Sequence, residues 1–459
     1  MGASDRHLYA ARLIESGDEE QAFAVLNDLL RDERDDAEAL FMLGNVYAKA
    51  EQFTPAWLCF RRAAELRPNQ HQVLNNVGMA LEGLGHGVEA REHFMRAHKI
   101  HPTHANYPSN VGMTYLLEAD HARAIQWAEK ALALDPEHGG AHTCRGFARL
   151  AQADWAGGWD DWRYALGGKY RGIQDYGLPE WTGEAGARVI VCGEQGIGDE
   201  IQFASCIPDL LARVDAVAID CDARLSKLFR RSFSDRVTVH GTRRGPKAWA
   251  AEGGWTHQIM TGELPRFFRR SAESFPRLAF ITPSPDLREM YGALQRRHAG
   301  GKIRVGLCMH GGQQRTGLKK RAMGPEAFAA LIERHGEACE FFSLDYRPDA
   351  AERIKAAGLP IHHFHWAVGL GADYDHTAGF LAALDVVVGV HTSAHHAAGA
   401  MGVPTVAFVP ERPTWNYGAG LGDALPWYPS VRLFRQRHGE SWAKCVRRFS
   451  DDWRPEASA

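Results

Sequence analysis

The 459-residue chain predicts an α + α/β architecture: an N-terminal α-solenoid of short helical repeats, then two doubly wound halves, each built on a parallel sheet. Three observations predict it. Proline recurs at Pro68, Pro102 and Pro136 with a spacing of 34, a period that only a repeat array sustains. Past Arg188 the helical apolar period gives way to short β-branched runs alternating with helices, the mark of parallel βα units. That alternation then restarts at Lys302.

Residues 1–168 form the solenoid. The 34-residue spacing also aligns Ala56, Ala90 and Ala124, and Ala63, Ala97 and Ala131, which is the tetratricopeptide period. Gly44, Gly78 and Gly112 are placed to let the two helices of a repeat approach, and Phe60 and Phe94 to fill the core between them. Ala3 to Arg34 reads as a degenerate first repeat, keeping Leu13 and Ala22 without the glycine or proline. The tryptophans of ADWAGGWDDWRYAL, from Ala153, suggest a terminal helix docking onto the next domain. Such arrays present a groove to a peptide or protein, and Asn76 and Asn110 occupy one position in successive repeats, with Met42 breaking the row.

Residues 169–300 form the first half. Strands are expected at Arg188 to Cys192, Ala216 to Cys221 and Val237 to His240, helices at Glu200 to Arg213 and Ala223 to Phe233, an amphipathic stretch over Trp255 to Arg270, and an edge strand within Pro276 to Pro285. The turn after the first strand, GEQGIGDEIQFA, is a weak nucleotide fingerprint, since its glycines are spaced GxxGxG. Gln195, Gly196 and Gly198 are placed to bring backbone close to a ligand on the acceptor side. Asp199 stands where a carboxylate can take a proton from an acceptor hydroxyl, although with Gln202 it equally suits a capping box.

Residues 301–459 form the second half, with a C-terminal helix expected to cross back. Lys302 to Met309 is a strand and HGGQQRTGLKKRAMG its loop, and Asp385 to Val390 is a second strand leading into His391, Thr392, Ser393 and a helix of small residues. The first turn of a helix at the carboxyl end of a buried parallel strand offers free N–H groups and the positive dipole end to a phosphate. Arg315, Lys319, Lys320 and Arg321 supply local positive charge. His391 and His395 are four apart but lack the further ligands that zinc requires, so no metal is expected. Trp427 and Tyr428 are assigned to packing, and Trp415 to packing or base stacking.

Composition bounds the partners. Charged residues make up 24% of the chain with a formal net charge of −3, which favours neither nucleic acid nor an anionic membrane. No apolar run approaches the ~18 residues of a membrane span. The start, MGASDRHLYAARLIESGDEE, has no secretory pattern, and eight scattered cysteines form no framework, so a cytoplasmic protein with reduced thiols is expected.

With these residues in view, GEQGIGDEIQFA, ADYDHTAGFLAALDVVVGVHTSAHHAAGAMGVPTVAF and ALPWYPSVRLFRQ, together with the repeats, resemble bacterial tetratricopeptide-containing glycosyltransferases related to heptosyltransferases and to the O-linked N-acetylglucosamine transferase. The resemblance implies a GT-B pair of Rossmann-like halves and a nucleotide-sugar co-substrate, with no other cofactor. It implies Asp199 as base, and His391, Thr392, Ser393 and His396 at the donor phosphates. Asn76 and Asn110 are similar to the asparagine ladder with which the O-linked transferase holds acceptor peptides. Some relatives of this layout modify flagellin. His391 departs from the Asp that bacterial relatives carry, which leaves the sugar and nucleotide open.

The expected activity is transfer of a sugar, with inversion and without metal, to a hydroxyl of a protein held by the array. Two other readings fit the same residues: a scaffold whose paired sheets are inactive, and a transferase acting on a cell-envelope glycan.

Overall fold

Asp18, Asp36, Asp120 and Asp154 each start a helix by accepting backbone N–H groups of the first turn, Asp36 from both Glu38 and Ala39. These caps satisfy donors that a helix cannot satisfy internally, so the helix starts are written locally in the sequence. The computed structural model describes residues 2–168, 171–311, 321–368 and 373–455. The chain divides into two compact units, Met1–Arg149 and Leu150–Ala459.

In the first unit the helices pair as Ala3–Ser16 with Glu19–Asp32, Ala37–Lys49 with Phe53–Leu66, His71–Gly83 with Gly87–Ile100, and Asn106–Leu117 with His121–Leu134. The expected degenerate first repeat is thus a full helical pair. The glycine positions carry the packing: a Cβ on Gly44 would lie 2.5 Å from the ring of Phe60, and one on Gly78 2.6 Å from Phe94. The third repeat has Ala128 where Phe60 and Phe94 stand, and a Cβ on Gly112 would meet its nearest neighbours, the Ala124 carbonyl oxygen first, only at 3.2 Å or beyond. Gly44→Ala is therefore expected to lower stability by about 1–2 kcal/mol, overpacking outweighing the gain in helix propensity. Gly112→Ala should be within about 0.5 kcal/mol of neutral on the same grounds, and urea denaturation followed by far-UV circular dichroism compares the two.

The second unit holds two all-parallel sheets. The first comprises β1 (Arg188–Cys192), β2 (Ala216–Asp220), β3 (Val237–His240) and β4 (His257–Met260), in the order β3-β2-β1-β4. The second comprises β5 (Ile303–Cys308), β6 (Cys339–Ser343), β7 (Ile361–His362), β8 (Val386–Val390), β9 (Thr405–Val409) and β10 (Val431–Arg435), in the order β7-β6-β5-β8-β9-β10. Counted from its own first strand this is 3-2-1-4-5-6, the order of dinucleotide-binding sheets, with winding reversed between β5 and β8. Its interior is a continuous apolar layer including Val305, Leu307, Phe341, Val388 and Phe408.

Several expectations are corrected here. The stretch Trp255 to Arg270 contains β4 as well as the short helix Pro265–Phe268, because His257–Met260 pairs in register with β1. Pro276 to Pro285 is no strand: the backbone amides of Phe280 and Ile281 donate to the Ala400 carbonyl at 3.0 and 3.1 Å, outside any sheet. The helix expected from Glu200 starts at Ile197 and stops at Ala204, and Pro208 opens a separate helix, Ile207–Leu211. The last helix, Trp442–Asp452, packs Val446 and Phe449 into the second sheet's own core.

The return contact to the first half is made instead by tryptophans. Trp159, on the helix Trp155–Trp162, is fully buried, donates from Nε1 to the Arg269 carbonyl at 2.8 Å, and meets Trp415 and Trp427 edge to face at 5.4 and 6.2 Å.

Candidate functional site

The two winding reversals place two loops at the carboxyl ends of the sheets, where open α/β sheets bind ligands. In the second half, β5 runs into Met309–Gly311 and β8 into His391 and Thr392. These loops touch, since a Cβ on Gly311 would lie 2.7 Å from Thr392 Cγ2 and 2.9 Å from the His391 carbonyl oxygen. Thr392 is the N-cap of the helix Ser393–Ala400: its Oγ1 accepts from the Ala394 amide at 3.1 Å and donates to Cys308 Sγ at 3.8 Å. Ser393 lies against the Tyr374 phenol.

In the first half, the helix Ile197–Ala204 begins at Gly196, and the Asp199 carboxylate accepts the Gly196 amide at 3.1 Å. The capping-box partner of Asp199 is thus Gly196 rather than Gln202, which is buried with both amide atoms unpartnered. The two helix starts face one another. A Cβ on Gly198 would stand 2.9 Å from His396 Cδ2 and 3.5 Å from Ser393 Cα, so glycine is what lets them approach. Gln195, in the turn before, holds φ +60°, a left-handed conformation that non-glycine residues rarely adopt.

Around this junction the charges are unusual. Withdrawal from water raises the Asp199 pKa to about 6, the Gly196 amide opposes, Glu194 adds to the rise, and Arg321 from the facing half opposes it. An acidic residue in a helix's first turn ordinarily sits low, so burial has overridden the dipole. His391 is 3% exposed, packs tilted against the Tyr417 ring at 4.0 Å, and has no partner in hydrogen-bond geometry among the described residues on either ring nitrogen. Burial, then Arg321, His395 and His396, hold it well below the usual histidine range. His396 is gripped between two phenols, Nδ1 to Tyr428 at 3.0 Å and Nε2 to Tyr417 at 3.1 Å, and burial pushes its pKa down to about 3. Among the described residues, the positive charge facing Asp199 therefore comes from Arg321 and the helix start, while these two histidines are neutral.

Asp199, Gly198, Ser393, His396 and Arg321 come together, and His391 and Thr392 close one side. Arg315, Lys319 and Lys320 lie outside the described residues. Among the described residues, no three His, Cys, Asp or Glu side chains are placed to hold a metal. Tyr417 and Tyr428 carry part of the site, and nothing in their sequence surroundings singles out their pairing with His396.

In the array, Asn110 donates to Asn75 at 2.8 Å, Asn75 to Asn76 at 3.1 Å, and Asn76 to Asn45 at 2.8 Å. Met42 does not end the row: Asn45, one helical turn later, takes its place. The asparagine amides bond to one another and form a polar line across three repeats.

A tetratricopeptide-repeat model matches residues 37–70 and 109–138. Protein FlbA of Caulobacter vibrioides is 27% identical over an alignment of 457 positions, gaps included, that covers 86% of this chain and 74% of that one. Among solved structures, MamA is similar at 18% identity over 34% of this chain and 91% of its own, with a TM-score of 0.32. PilW, a type IV pilus biogenesis factor, is similar at 19% identity over 35% of this chain and 75% of its own, with a TM-score of 0.33. The chain thus carries a tetratricopeptide-repeat array, an architecture that commonly binds protein segments, followed by two parallel-sheet halves. No helix among the described residues is long and apolar enough to cross a membrane.

Proposed function

We propose that the second unit transfers a sugar from a nucleotide-sugar donor to a hydroxyl of a protein segment recruited by the array. The supporting observation is the meeting of two helix starts at the winding reversals, with Asp199 on one side and Arg321 on the other. In this reaction Asp199 takes the hydroxyl proton as the acceptor oxygen bonds to the anomeric carbon. The bond from that carbon to the donor phosphate breaks, and its electron pair leaves on the nucleotide. Arg321 and the amides opening the helix at Ser393 bind the charge developing there more strongly than in the ground state. A direct displacement of this kind inverts the anomeric centre and needs no metal.

The test is a thermal-shift series with nucleoside diphosphates and CMP, on the wild type and on a Thr392→Ala, Ser393→Ala double variant. One nucleotide is expected to raise the wild-type melting temperature, with the double variant showing about tenfold weaker binding or worse, in line with the loss of one or two charge-assisted contacts. A wild type that responds to none is a scaffold. A variant that binds as tightly as the wild type moves the phosphate site elsewhere. Flagellin is the first protein acceptor to assay.

A further inference from the structure

Beneath the Asp199 turn lies a buried charge cluster that the proposed chemistry does not use. Arg171 is 1% exposed, and its guanidinium meets two buried carboxylates. Nε and Nη2 donate to the two oxygens of Glu194 at 2.9 and 2.8 Å, and Nη1 donates to Glu263 Oε1 at 2.6 Å and to the Trp162 carbonyl at 3.2 Å. Glu194 Oε1 also accepts the Gly262 amide at 2.7 Å, and a Cβ on Gly262 would come within 2.3 Å of that oxygen.

One arginine against two glutamates leaves an excess carboxylate in a dry interior. Buried ion pairs of this kind are poor stabilisers compared with apolar packing, so stability alone is a weak reason for it. Its place in the chain suggests another. Glu194 ends two residues before Gly196; between them Gln195 is held at φ +60°; and the Gly196 amide is the donor that holds Asp199. Gripping Glu194 fixes a strained turn, and the turn aims the amide.

We infer that Glu194, clamped by Arg171 and the Gly262 amide, is the positioning residue for the Asp199 carboxylate; this rests on the reading of Asp199 as the base. The charges around Asp199 act in keeping with it. Glu194, from its own half, favours the protonated form, and Arg321, from the facing half, favours the ionised one. Among the described residues, Tyr417 and Tyr428 also interact with the Asp199 charge from the opposing half, with His396 and His391 against Tyr417. Arg171 is shared between Glu194 and Glu263, so the triad as a whole carries one excess negative charge, and Glu194 is its member next in the chain to the Asp199 turn.

The side-chain carboxyl of Asp199 is titrated by carbon-13 NMR in the full chain, in the wild type, Glu194→Gln and Glu263→Gln. The midpoint is expected at about 6 in the wild type, and to move little in Glu263→Gln. In Glu194→Gln amide exchange at Gly196 should quicken as the turn loosens, while the midpoint moves by the balance of two opposed effects, a lost like charge that lowers it and a weakened Gly196 bond that raises it. Exchange at Gly196 in Glu194→Gln equal to the wild type, or an equal quickening in Glu263→Gln, overturns the assignment. Should Glu194→Gln not fold, Glu194→Asp keeps the charge and draws the carboxylate back by one methylene. It should quicken exchange at Gly196 and Gly262 and, with the charge kept, raise the midpoint as the Gly196 bond weakens, and unchanged exchange overturns the inference. None of these readouts uses turnover or nucleotide, so the clamp and the transferase reading can fail separately.

Discussion

Asp199→Asn is expected to cut sugar transfer by about 10²–10⁴-fold, the usual contribution of a positioned base, and at the same time to stabilise the fold. The two effects share one cause. The carboxylate is held where withdrawal from water raises its pKa from the ordinary carboxylate value to about 6. The folded chain therefore binds this proton more tightly than the unfolded chain, and keeping the group ionised above pH 6 costs stability. A shift of that size corresponds to about 3 kcal/mol, and relaxation at the partly open edge of the site reduces it to about 1–2 kcal/mol. Asparagine keeps an oxygen for the Gly196 amide and has no charge to desolvate.

The sign is then fixed. The advantage of the variant is full above pH about 6 and shrinks as the pH falls, vanishing below about 4, where the wild-type carboxyl is protonated in both states. Wild-type transfer should run the other way, rising through pH about 6 as the base ionises. Urea denaturation of both proteins at pH 4, 6 and 8, beside a pH–rate profile, separates the possibilities. A variant that is less stable at pH 8 makes Asp199 a structural cap. A variant that is more stable but still transfers sugar removes the base assignment.

What the sequence disclosed depended on how local the cause was. The 34-residue period was legible because each repeat must set a glycine against a core side chain, as Gly44 against Phe60 and Gly78 against Phe94. The asparagine line was half legible. Asn76 and Asn110 share the register, but Asn45 joins from three residues away, since a helix brings positions one turn apart onto the same face. The strand β4 was hidden because its identity comes from pairing with β1, while its own residues, HQIM, carry no alternation. β10 has a burial alternation at its start, but it follows a proline-rich turn and reads as loop.

At the site, the helix start at Gly196 was expected only at Asp199 and Glu200, whereas the other, at Thr392, was legible. Their companions were not, because the partners are distant in sequence. Arg171 reaches Glu263 across 92 positions, and Tyr417 and Tyr428 reach His396 across 21 and 32. Asp199 could be named from its turn, whereas its raised pKa comes from desolvation in the folded site, with Glu194 adding to the rise and the Gly196 amide and Arg321 opposing it.

Gly389→Ala is expected to be the most damaging single substitution in the second half, at about 4 kcal/mol or more. Gly389 pairs with Cys308 across the winding reversal between β5 and β8. It adopts φ +139°, and a Cβ there would stand 2.1 Å from the Cys308 carbonyl oxygen and 2.9 Å from its nitrogen. Backbone cannot yield as a side chain does, so the two strands must part. They would part where Thr392 bonds to Cys308 Sγ and where Gly311 rests on Thr392, the contacts that set the start of the Ser393–Ala400 helix. The proposed phosphate site is thus the first thing to lose its geometry, even in molecules that remain folded. Tryptophan fluorescence reports the second unit through Trp159 and Trp427, while far-UV circular dichroism is weighted toward the helical array. In urea the variant should show its fluorescence transition at markedly lower concentration than the wild type, with part of the helical signal persisting beyond it, and no thermal shift with any nucleotide. A variant whose fluorescence transition coincides with the wild type would mean that β5 and β8 separate at little cost, and the switch point would then be too soft to hold a phosphate in place.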